Sequence, residues 1–312
     1  MNTRRSLDGF ALGAMIIVCA VLGVQQVALK SVEADISPVL QLAIRSGIAA
    51  VLVAIWMRLR QESFSLSDGT LKPGLLLGLL FALEYVFLGE GLRYTSASRM
   101  VIFLYSAPLF SAIVLHMLKE EERLKPVQWL GIFLAFLGVA LAFYVDESTE
   151  QPLENQLLGD IYGLLAGVAW GLSTVVIRVT QLSSAPASKT LLYQLVVAFC
   201  LLFAVAIVLG QMHINVTPVV VGNLLFQGVI VSFATFLAWL SLLRRYVASQ
   251  LGVLMFMTPV FGVALGVVLL DEPLHGRFLV GACMVIGGIL LVSAEPLFAR
   301  HSSVSRTKGY SA

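Results

Sequence analysis

Two stretches of this chain carry the same pattern. Residues 94–140 read YTSASRMVIFLYSAPLFSAIVLHMLKEEERLKPVQWLGIFLAFLGVA, and residues 245–292 read RYVASQLGVLMFMTPVFGVALGVVLLDEPLHGRFLVGACMVIGGILLV. In each stretch an apolar helix contains a central proline, ends in an acidic pair and is followed by a second, glycine-rich apolar helix. A constant shift of 151 positions superposes Ala97 on Ala248, Ser98 on Ser249, Pro108 on Pro259 and Glu121 on Glu272. The repeat predicts a chain built from two related halves.

The composition is that of a membrane protein. Of the 312 residues, 59% are hydrophobic and 12% are charged, whereas soluble domains carry about 25% charged residues. The net charge of +2 and the lack of a basic patch with interleaved aromatic residues argue against nucleic-acid binding. The three cysteines lie in apolar runs without metal-ligand spacing. We therefore predict no metal site, no cofactor and no nucleic-acid partner.

The hydropathy pattern predicts ten transmembrane helices. A bilayer core of about 30 Å needs roughly 20 apolar residues per helix. The predicted spans are residues 9–29, 37–58, 72–92, 97–118, 126–145, 158–178, 188–210, 218–243, 248–270 and 274–294. Because each half has five helices, an odd number, the two halves must cross the membrane in opposite directions. The predicted fold is an all-α membrane protein with ten transmembrane helices in two inverted five-helix repeats, an arrangement typical of secondary transporters.

The distribution of positive charge predicts the orientation. Fifteen of the 20 lysine and arginine residues fall on the side of the predicted topology that carries both termini, and four fall on the other side. Cytoplasmic loops carry the excess of such residues, so we expect a multi-pass protein of the inner (plasma) membrane with both termini in the cytoplasm. The predicted units are a first repeat (1–145), an outer linker (146–157), a second repeat (158–296) and a cytoplasmic tail (297–312), disordered from Arg300 on.

The repeated pattern resembles the drug/metabolite transporter superfamily, in particular its EamA-type members with ten helices in two five-helix repeats. The resemblance rests on Tyr94 to Ser98, Pro108, Glu121, Gln128, Trp129 and Gly131 in the first half, and on Trp170, Gly171, Ala248, Ser249, Pro259, Glu272 and Gly287 in the second. The second half departs from the pattern at Arg245, Pro273 and His275. The resemblance implies that helices 1, 3, 4, 6, 8 and 9 surround a central cavity. It does not identify the substrate, because members move amino acids, drugs, nucleotide sugars and other metabolites.

Two charged residues, Arg45 and Glu84, lie inside predicted apolar helices. At 1.5 Å per residue, each lies about 12 Å from the outer end of its helix, so we predict an intramembrane Arg45–Glu84 pair. Two interpretations stay open. In the first, the pair only joins helix 2 to helix 3. In the second, Glu84 faces the cavity and binds a proton or a cationic substrate while Arg45 tunes its acidity.

Two prolines and a set of polar, aromatic and methionine residues are the other candidates. Pro108 and Pro259 lie near the middle of helices 4 and 9, where each removes a backbone hydrogen bond; we predict that they are hinges, with a static kink as the alternative. The remaining candidates for the cavity wall are Tyr85, Tyr105, Ser106, Trp170, Ser173, Gln227, Thr235, Trp239, Met255 and Met257. Such a lining suits an amphipathic ligand. A packing role is the alternative for each residue.

These observations favour a transporter over other classes of membrane protein. The sequence contains no Ser-His-Asp order, no glycine-rich nucleotide loop and no HExxH motif, so we predict that it is not an enzyme. We expect a secondary active transporter of a small amphipathic metabolite, amino-acid-like or drug-like, that exports by alternating access. Import of a nutrient or vitamin, and a channel, are the alternatives. The expected partners are the small-molecule substrate, the lipid bilayer and a coupling ion such as the proton, with the protein a monomer or a homodimer.

Overall fold

The structure is a computed structural model that describes residues 5–62, 65–91, 94–95, 97–142, 155–270 and 276–307. Within these ranges the regular structure is helical, and no strand is present. The helices are α1 (Gly9–Ser31), α2 (Pro38–Leu59), α3 (Leu71–Gly91), α4 (Ala97–Leu104), α5 (Ala107–Leu118), α6 (Pro126–Ala142), α7 (Gln156–Val179), α8 (Ala187–Val208), α9 (Pro218–Leu225), α10 (Phe236–Arg245), α11 (Ala248–Leu254), α12 (Met257–Leu270) and α13 (Gly276–Thr307), with a π-helix (Phe226–Thr235) between α9 and α10.

The helices form ten apolar segments at the ten predicted places. Six are long and apolar enough to cross a membrane: Pro38–Leu59, Leu71–Gly91, Met100–Leu118, Gln156–Val179, Ala187–Val208 and Pro218–Arg245. The other four contain shorter apolar helices, namely Gly9–Gln25, Pro126–Leu141, Ala248–Gly262 and Leu279–Val292. We call the ten segments spans 1 to 10 in chain order. The predicted all-α, multi-pass membrane fold is confirmed.

Two symmetry-related hydrogen bonds mark the two faces of the molecule. The hydroxyl group of Tyr246, just before span 9, donates to Asp8, just before span 1, at 2.9 Å. The hydroxyl group of Thr95, just before span 4, donates to Asp160, in the first turns of span 6, at 2.7 Å. The 151-position shift relates Thr95 to Tyr246, and Asp8 corresponds to Asp160. Following the helices through the bundle places these bonds on opposite faces, as inverted repeats require. We call the face with Asp8 the N-terminal face.

The two halves interlock, because most of the large helix interfaces join one half to the other. Span 5 packs on span 10, span 2 on span 7, span 1 on span 9, and span 6 on spans 3 and 4. Glycine permits the closest of these approaches. A Cβ atom at Gly131 would lie 2.7 Å from the carbonyl oxygen of Gly288, so only a glycine lets the backbones of spans 5 and 10 approach this closely.

Spans 4 and 9 are each broken ahead of their proline. The chain turns at Tyr105 and Ser106 between α4 and α5, and again between α11 and α12. A proline cannot donate the backbone hydrogen bond that would continue the helix, which explains why the predicted continuous helices 97–118 and 248–270 are split. At the second break, the thiol of Cys19 donates to the carbonyl oxygen of Leu254 at 3.3 Å. Span 1 therefore covers the broken helix of the other half.

The sequence prediction for the C-terminal tail also differs from the structure. Helix α13 continues to Thr307, so the chain is helical beyond Arg300, where we expected disorder. No glycine or proline interrupts residues 297–307, and the hydrogen-bond pattern of the helix can therefore continue through polar residues. Residues 308–312 and most of the predicted outer linker lie outside the described residues.

Candidate functional site

A cleft lies where four spans from both halves meet. It has a cavity volume of about 10 Å³, is partly open to solvent, and is lined by Ala107, Pro108, Ser111, Trp170, Gly171, Thr174, Trp239, Ala248, Gly252 and Met255. These residues belong to spans 4, 6, 8 and 9. This volume has room for about one water molecule, so the cleft is nearly closed in this conformation and must widen to hold a metabolite. Two indole rings and a methionine give it an apolar wall, and two hydroxyl groups add hydrogen-bonding capacity.

The structure brings several predicted residues to this cleft. Trp170, Trp239 and Pro108 line it directly. Tyr105 is buried beside it, with its ring in edge contact with Trp170 at 5.5 Å between centroids. Met257 does not line the cleft in the described structure; Met255, two residues earlier, does.

A second group of predicted residues forms a buried polar cluster in spans 2, 3 and 8, which we call the Arg45 cluster (Arg45, Tyr85, Gln227). The guanidinium group of Arg45 donates to Gln227 Oε1 at 2.9 Å and to the hydroxyl oxygen of Tyr85 at 2.6 Å. Arg45 also lies over the rings of Tyr85 and Phe236, at 5.0 and 5.8 Å from their centroids. Each of the three members lies about 9–14 Å from the helix end on the face opposite the N-terminal face, at 1.5 Å per residue.

The predicted direct Arg45–Glu84 ion pair is wrong. Glu84 is buried, but the ion pairs found among the described residues do not include it. Arg45 instead donates to two neutral oxygen atoms. On span 3 the contact is made by Tyr85, the neighbour of Glu84. The charge of Arg45 still acts on Glu84 through space. Arg45 and span 3 do meet at the predicted depth, but residue spacing does not determine which of two adjacent side chains makes the contact.

The π-helix in span 8 determines which side chains face the Arg45 cluster. It begins at Phe226, one residue before Gln227, and ends at Thr235. Its i→i+5 hydrogen bonds bring residues five positions apart to similar sides of the helix, so Gln227 and Ser232 share a face. Both are fully buried. Wide turns of this kind occur often at functional sites.

A buried ionic network lies at the end of the spans near the N-terminal face. Glu122 and Arg178 form an ion pair with side chains 1% and 3% exposed. The Glu122 carboxylate accepts from the backbone N–H of Ala248 at 3.2 Å and from the hydroxyl of Ser249 at 2.9 Å. Arg178 donates to the carbonyl oxygen of Tyr246 at 2.5 Å. We call Glu122, Arg178 and residues 246–249 the clasp.

The clasp joins the same spans that line the cleft. Ala248, which contacts Glu122, is itself a lining residue, and Thr174 of the lining lies one helical turn before Arg178. The sequence reading considered the exposed Glu120 and Glu121 and missed Glu122. One signal was available: under the 151-position shift Glu122 aligns with Pro273, so the carboxylate is specific to the first half.

No group of three or more His, Cys, Asp or Glu residues in the described part of the chain could hold a metal ion. The described residues of the cleft and of the Arg45 cluster thus provide ring faces, hydroxyl groups, one guanidinium and one amide, which are groups suited to binding.

Comparisons with known proteins agree with this architecture. The profile of the EamA-like transporter family matches residues 9–144 and again residues 157–294. The uncharacterized transporter YoaV of Bacillus subtilis (strain 168) is 23% identical over 279 residues, which cover 89% of this chain and 94% of that protein. The probable amino-acid metabolite efflux pump of Escherichia coli (strain K12) is 25% identical over 216 residues, 67% of this chain and 71% of that protein.

A solved crystal structure has the same fold. It superposes with a TM-score of 0.76 over 94% of this chain and 97% of that chain, at 18% sequence identity. The family profile matches once in each half, and the two matches together span nearly the whole chain. The chain therefore belongs to the EamA-like transporter family, within the drug/metabolite transporter superfamily.

Proposed function

We propose that this chain is a secondary active transporter that exports a small amphipathic, amino-acid-like metabolite by alternating access. The observation that carries the proposal is the cleft between the two halves. Its two tryptophans and one methionine suit an apolar side chain, and Ser111 and Thr174 offer hydrogen bonds to a polar group. The cavity volume of about 10 Å³ means that the spans must separate before a metabolite can enter, as alternating access requires. The name of the Escherichia coli relative points to the same substrate class.

The clasp and the two broken helices suit the motion that alternating access requires. The clasp closes the cleft toward the N-terminal face, which we propose is the cytoplasmic face of the inner membrane. Pro108 and Pro259 interrupt the helices that the clasp joins, and broken helices at the centre of inverted repeats are typical of transporters that rock one half against the other. We propose that the two breaks act as the hinges.

The test is substrate exchange by the purified full-length protein in liposomes. Radiolabelled amino acids and small amphipathic amines are screened by counterflow, which needs no driving gradient. Binding is measured by the fluorescence of the cleft tryptophans. Trp239→Phe should reduce the signal and weaken binding, whereas Trp129→Phe, which changes an indole of span 5 outside the cleft lining, should leave binding unchanged. If no solute shows counterflow and electrical recordings show ion-selective currents, the protein is a channel and the proposal is wrong.

The direction and the energy source are tested in the same liposomes. If transport is coupled to protons, a pH gradient of one sign should accelerate net flux of the substrate, and a gradient of the opposite sign should reverse the direction of that flux. We propose Glu84 as the coupling group, because it is a buried carboxyl group without an ion-pair partner among the described residues. Glu84→Gln should then abolish the response to the gradient, while Glu121→Gln, on an exposed turn, should retain it. Accumulation of a nutrient on the cytoplasmic side would show an importer instead.

A further inference from the structure

The Arg45 cluster contains a buried positive charge and more hydrogen-bond donors than acceptors. Arg45 is 1% exposed, and its Nε–H has no hydrogen-bond partner. Its other two guanidinium nitrogens bind only neutral oxygen atoms. A buried charge without a directly bound counter-charge is costly. Binding of an anion at this position would remove that cost.

Span 8 adds two further unpaired donors, one in the cluster and one a π-turn away along the helix. The amide oxygen of Gln227 is occupied by Arg45, which leaves the Nε2 group without a partner. The hydroxyl group of Ser232 also has no partner. Both side chains are 0% exposed, and the π-helix turns them to a shared face. Buried polar groups are nearly always paired. Unpaired N–H groups on Arg45 and Gln227, which contact each other, and an unpaired hydroxyl group one π-turn along span 8 therefore indicate a binding site for an acceptor.

We propose that Arg45, Gln227 and Ser232 form an anion subsite that binds the carboxylate group of the transported metabolite. A guanidinium group offers parallel N–H donors that match the two oxygens of a carboxylate. The amide and hydroxyl donors of span 8 complete the hydrogen bonding. This inference deepens the proposed function and rests on it, because it names the chemical group by which the substrate is recognised.

The position of the subsite relative to the cleft fits an amphipathic acid. Phe236 lies 5.8 Å from the Arg45 guanidinium, and Trp239, which lines the cleft, follows three residues later on the same helix face. A carboxylate bound at Arg45 would therefore have its apolar part directed along span 8 toward the aromatic wall. The near-zero exposure of the subsite means that the anion reaches it when the spans separate on the face opposite the clasp.

The direct test compares carboxylates with their uncharged amides on the purified full-length protein. Thermal unfolding in detergent is measured at constant ionic strength with benzoate against benzamide, and with formate against formamide. We expect the carboxylates to raise the unfolding temperature and the amides to raise it little. The apparent affinities should differ on the order of ten- to a hundredfold, as expected for hydrogen bonds to a charged group. Equal effects of acid and amide, or no effect of any carboxylate, would overturn the proposal.

A single substitution tests the site while the positive charge of Arg45 is kept. Gln227→Glu places a carboxylate next to Arg45 as an internal anion, so the protein should fold and no longer respond to benzoate. Ser232→Ala should weaken benzoate binding a fewfold, since one hydrogen bond is lost. Arg60→Gln, which removes an exposed arginine over Trp56, is the matched control and should bind benzoate as the unaltered protein does. Benzoate binding that persists in Gln227→Glu contradicts the subsite.

The outcomes for the subsite and for transport are separable. Counterflow of amino acids and of their neutral amides at equal rates would retain the transporter and eliminate the carboxylate subsite. Anion-dependent stabilisation without counterflow of any solute would retain the subsite and eliminate the proposed function.

Discussion

Glu122→Gln is the perturbation that best separates the clasp from ordinary packing. Glutamine has nearly the same shape as glutamate but no charge, so Arg178 would remain buried without its counter-charge. The new amide group would also face the backbone N–H of Ala248 and of Ser249, which currently donate to the carboxylate at 3.2 Å each. Two donors would then oppose each other where a donor and an acceptor now pair.

The magnitude follows from burial. The side chains of Glu122 and Arg178 are 1% and 3% exposed, and loss of one partner of a buried ion pair costs about 3–5 kcal/mol. Arg178 keeps two carbonyl acceptors, Leu243 and Tyr246, so we expect a value near the lower end, about 3 kcal/mol. The neighbouring Glu120–Arg123 pair is 3.9 Å apart and mostly exposed, so Glu120→Gln should cost less than about 1 kcal/mol.

Two measurements check this reasoning. Thermal unfolding in detergent should show a clear loss of stability for Glu122→Gln and almost none for Glu120→Gln. Access to the cleft is measured with Thr174→Cys in a background without Cys19, Cys200 and Cys283, labelled by a membrane-impermeant maleimide in inside-out vesicles. Because a change of about 3 kcal/mol shifts a two-state equilibrium by more than about a hundredfold, labelling should accelerate at least about tenfold when Glu122→Gln is added.

A double substitution distinguishes gating from stability. Glu122→Leu combined with Arg178→Met removes both charges, and apolar replacement of a buried pair is often neutral for stability. The double variant should therefore unfold near the temperature of the parent protein and still label rapidly. Unchanged stability and unchanged labelling in Glu122→Gln would refute the clasp as a closing element.

Three further predictions concern the scaffold. Gly131→Ala should destabilise the protein in thermal unfolding, because its Cβ would lie 2.7 Å from the carbonyl oxygen of Gly288, whereas Gly13→Ala, with no atom within 4 Å of the new Cβ, should be neutral or stabilising. A hydrogen bond from its lysine partner lowers the pKa of Asp68 to about 2. The ionised carboxylate therefore stabilises the fold fully above the ordinary pKa of 3.8, and this stabilisation is lost as the pH falls toward 2. The difference in unfolding temperature between the parent and Asp68→Asn should be constant from about pH 7 to 5 and should shrink below about pH 4. Pro259→Ala, which lies outside the cleft lining, should let its helix continue through the break, which should slow counterflow while substrate binding is retained; unaltered counterflow would contradict the hinge.

Several features of this protein could be predicted because they depend on local chemistry. The ten apolar segments follow from hydropathy, and their alternating direction follows from the odd number of helices per half. The breaks in spans 4 and 9 follow from the missing N–H group of the central prolines. The side chains of Trp170, Trp239 and Tyr105 could be chosen as cavity candidates because their type and depth suit an amphipathic ligand.

The tertiary structure decided which side chains meet. Arg45 and Glu84 share a depth, but the packing of spans 2, 3 and 8 presents Tyr85 and Gln227 to the guanidinium group. The π-helix that turns Ser232 toward Gln227 has no signal in the hydropathy pattern, because it depends on hydrogen bonds between neighbouring turns.

The sequence by itself determined the class of the protein, since the bilayer requires apolar helices of sufficient length and the repeat requires two inverted halves. It could not determine the clasp or the Arg45 cluster. Glu122 and Ser249 lie 127 positions apart, and Arg45 and Gln227 lie 182 positions apart. Contacts over such separations depend on how the halves interlock, and side-chain spacing along one helix contains no information about that arrangement.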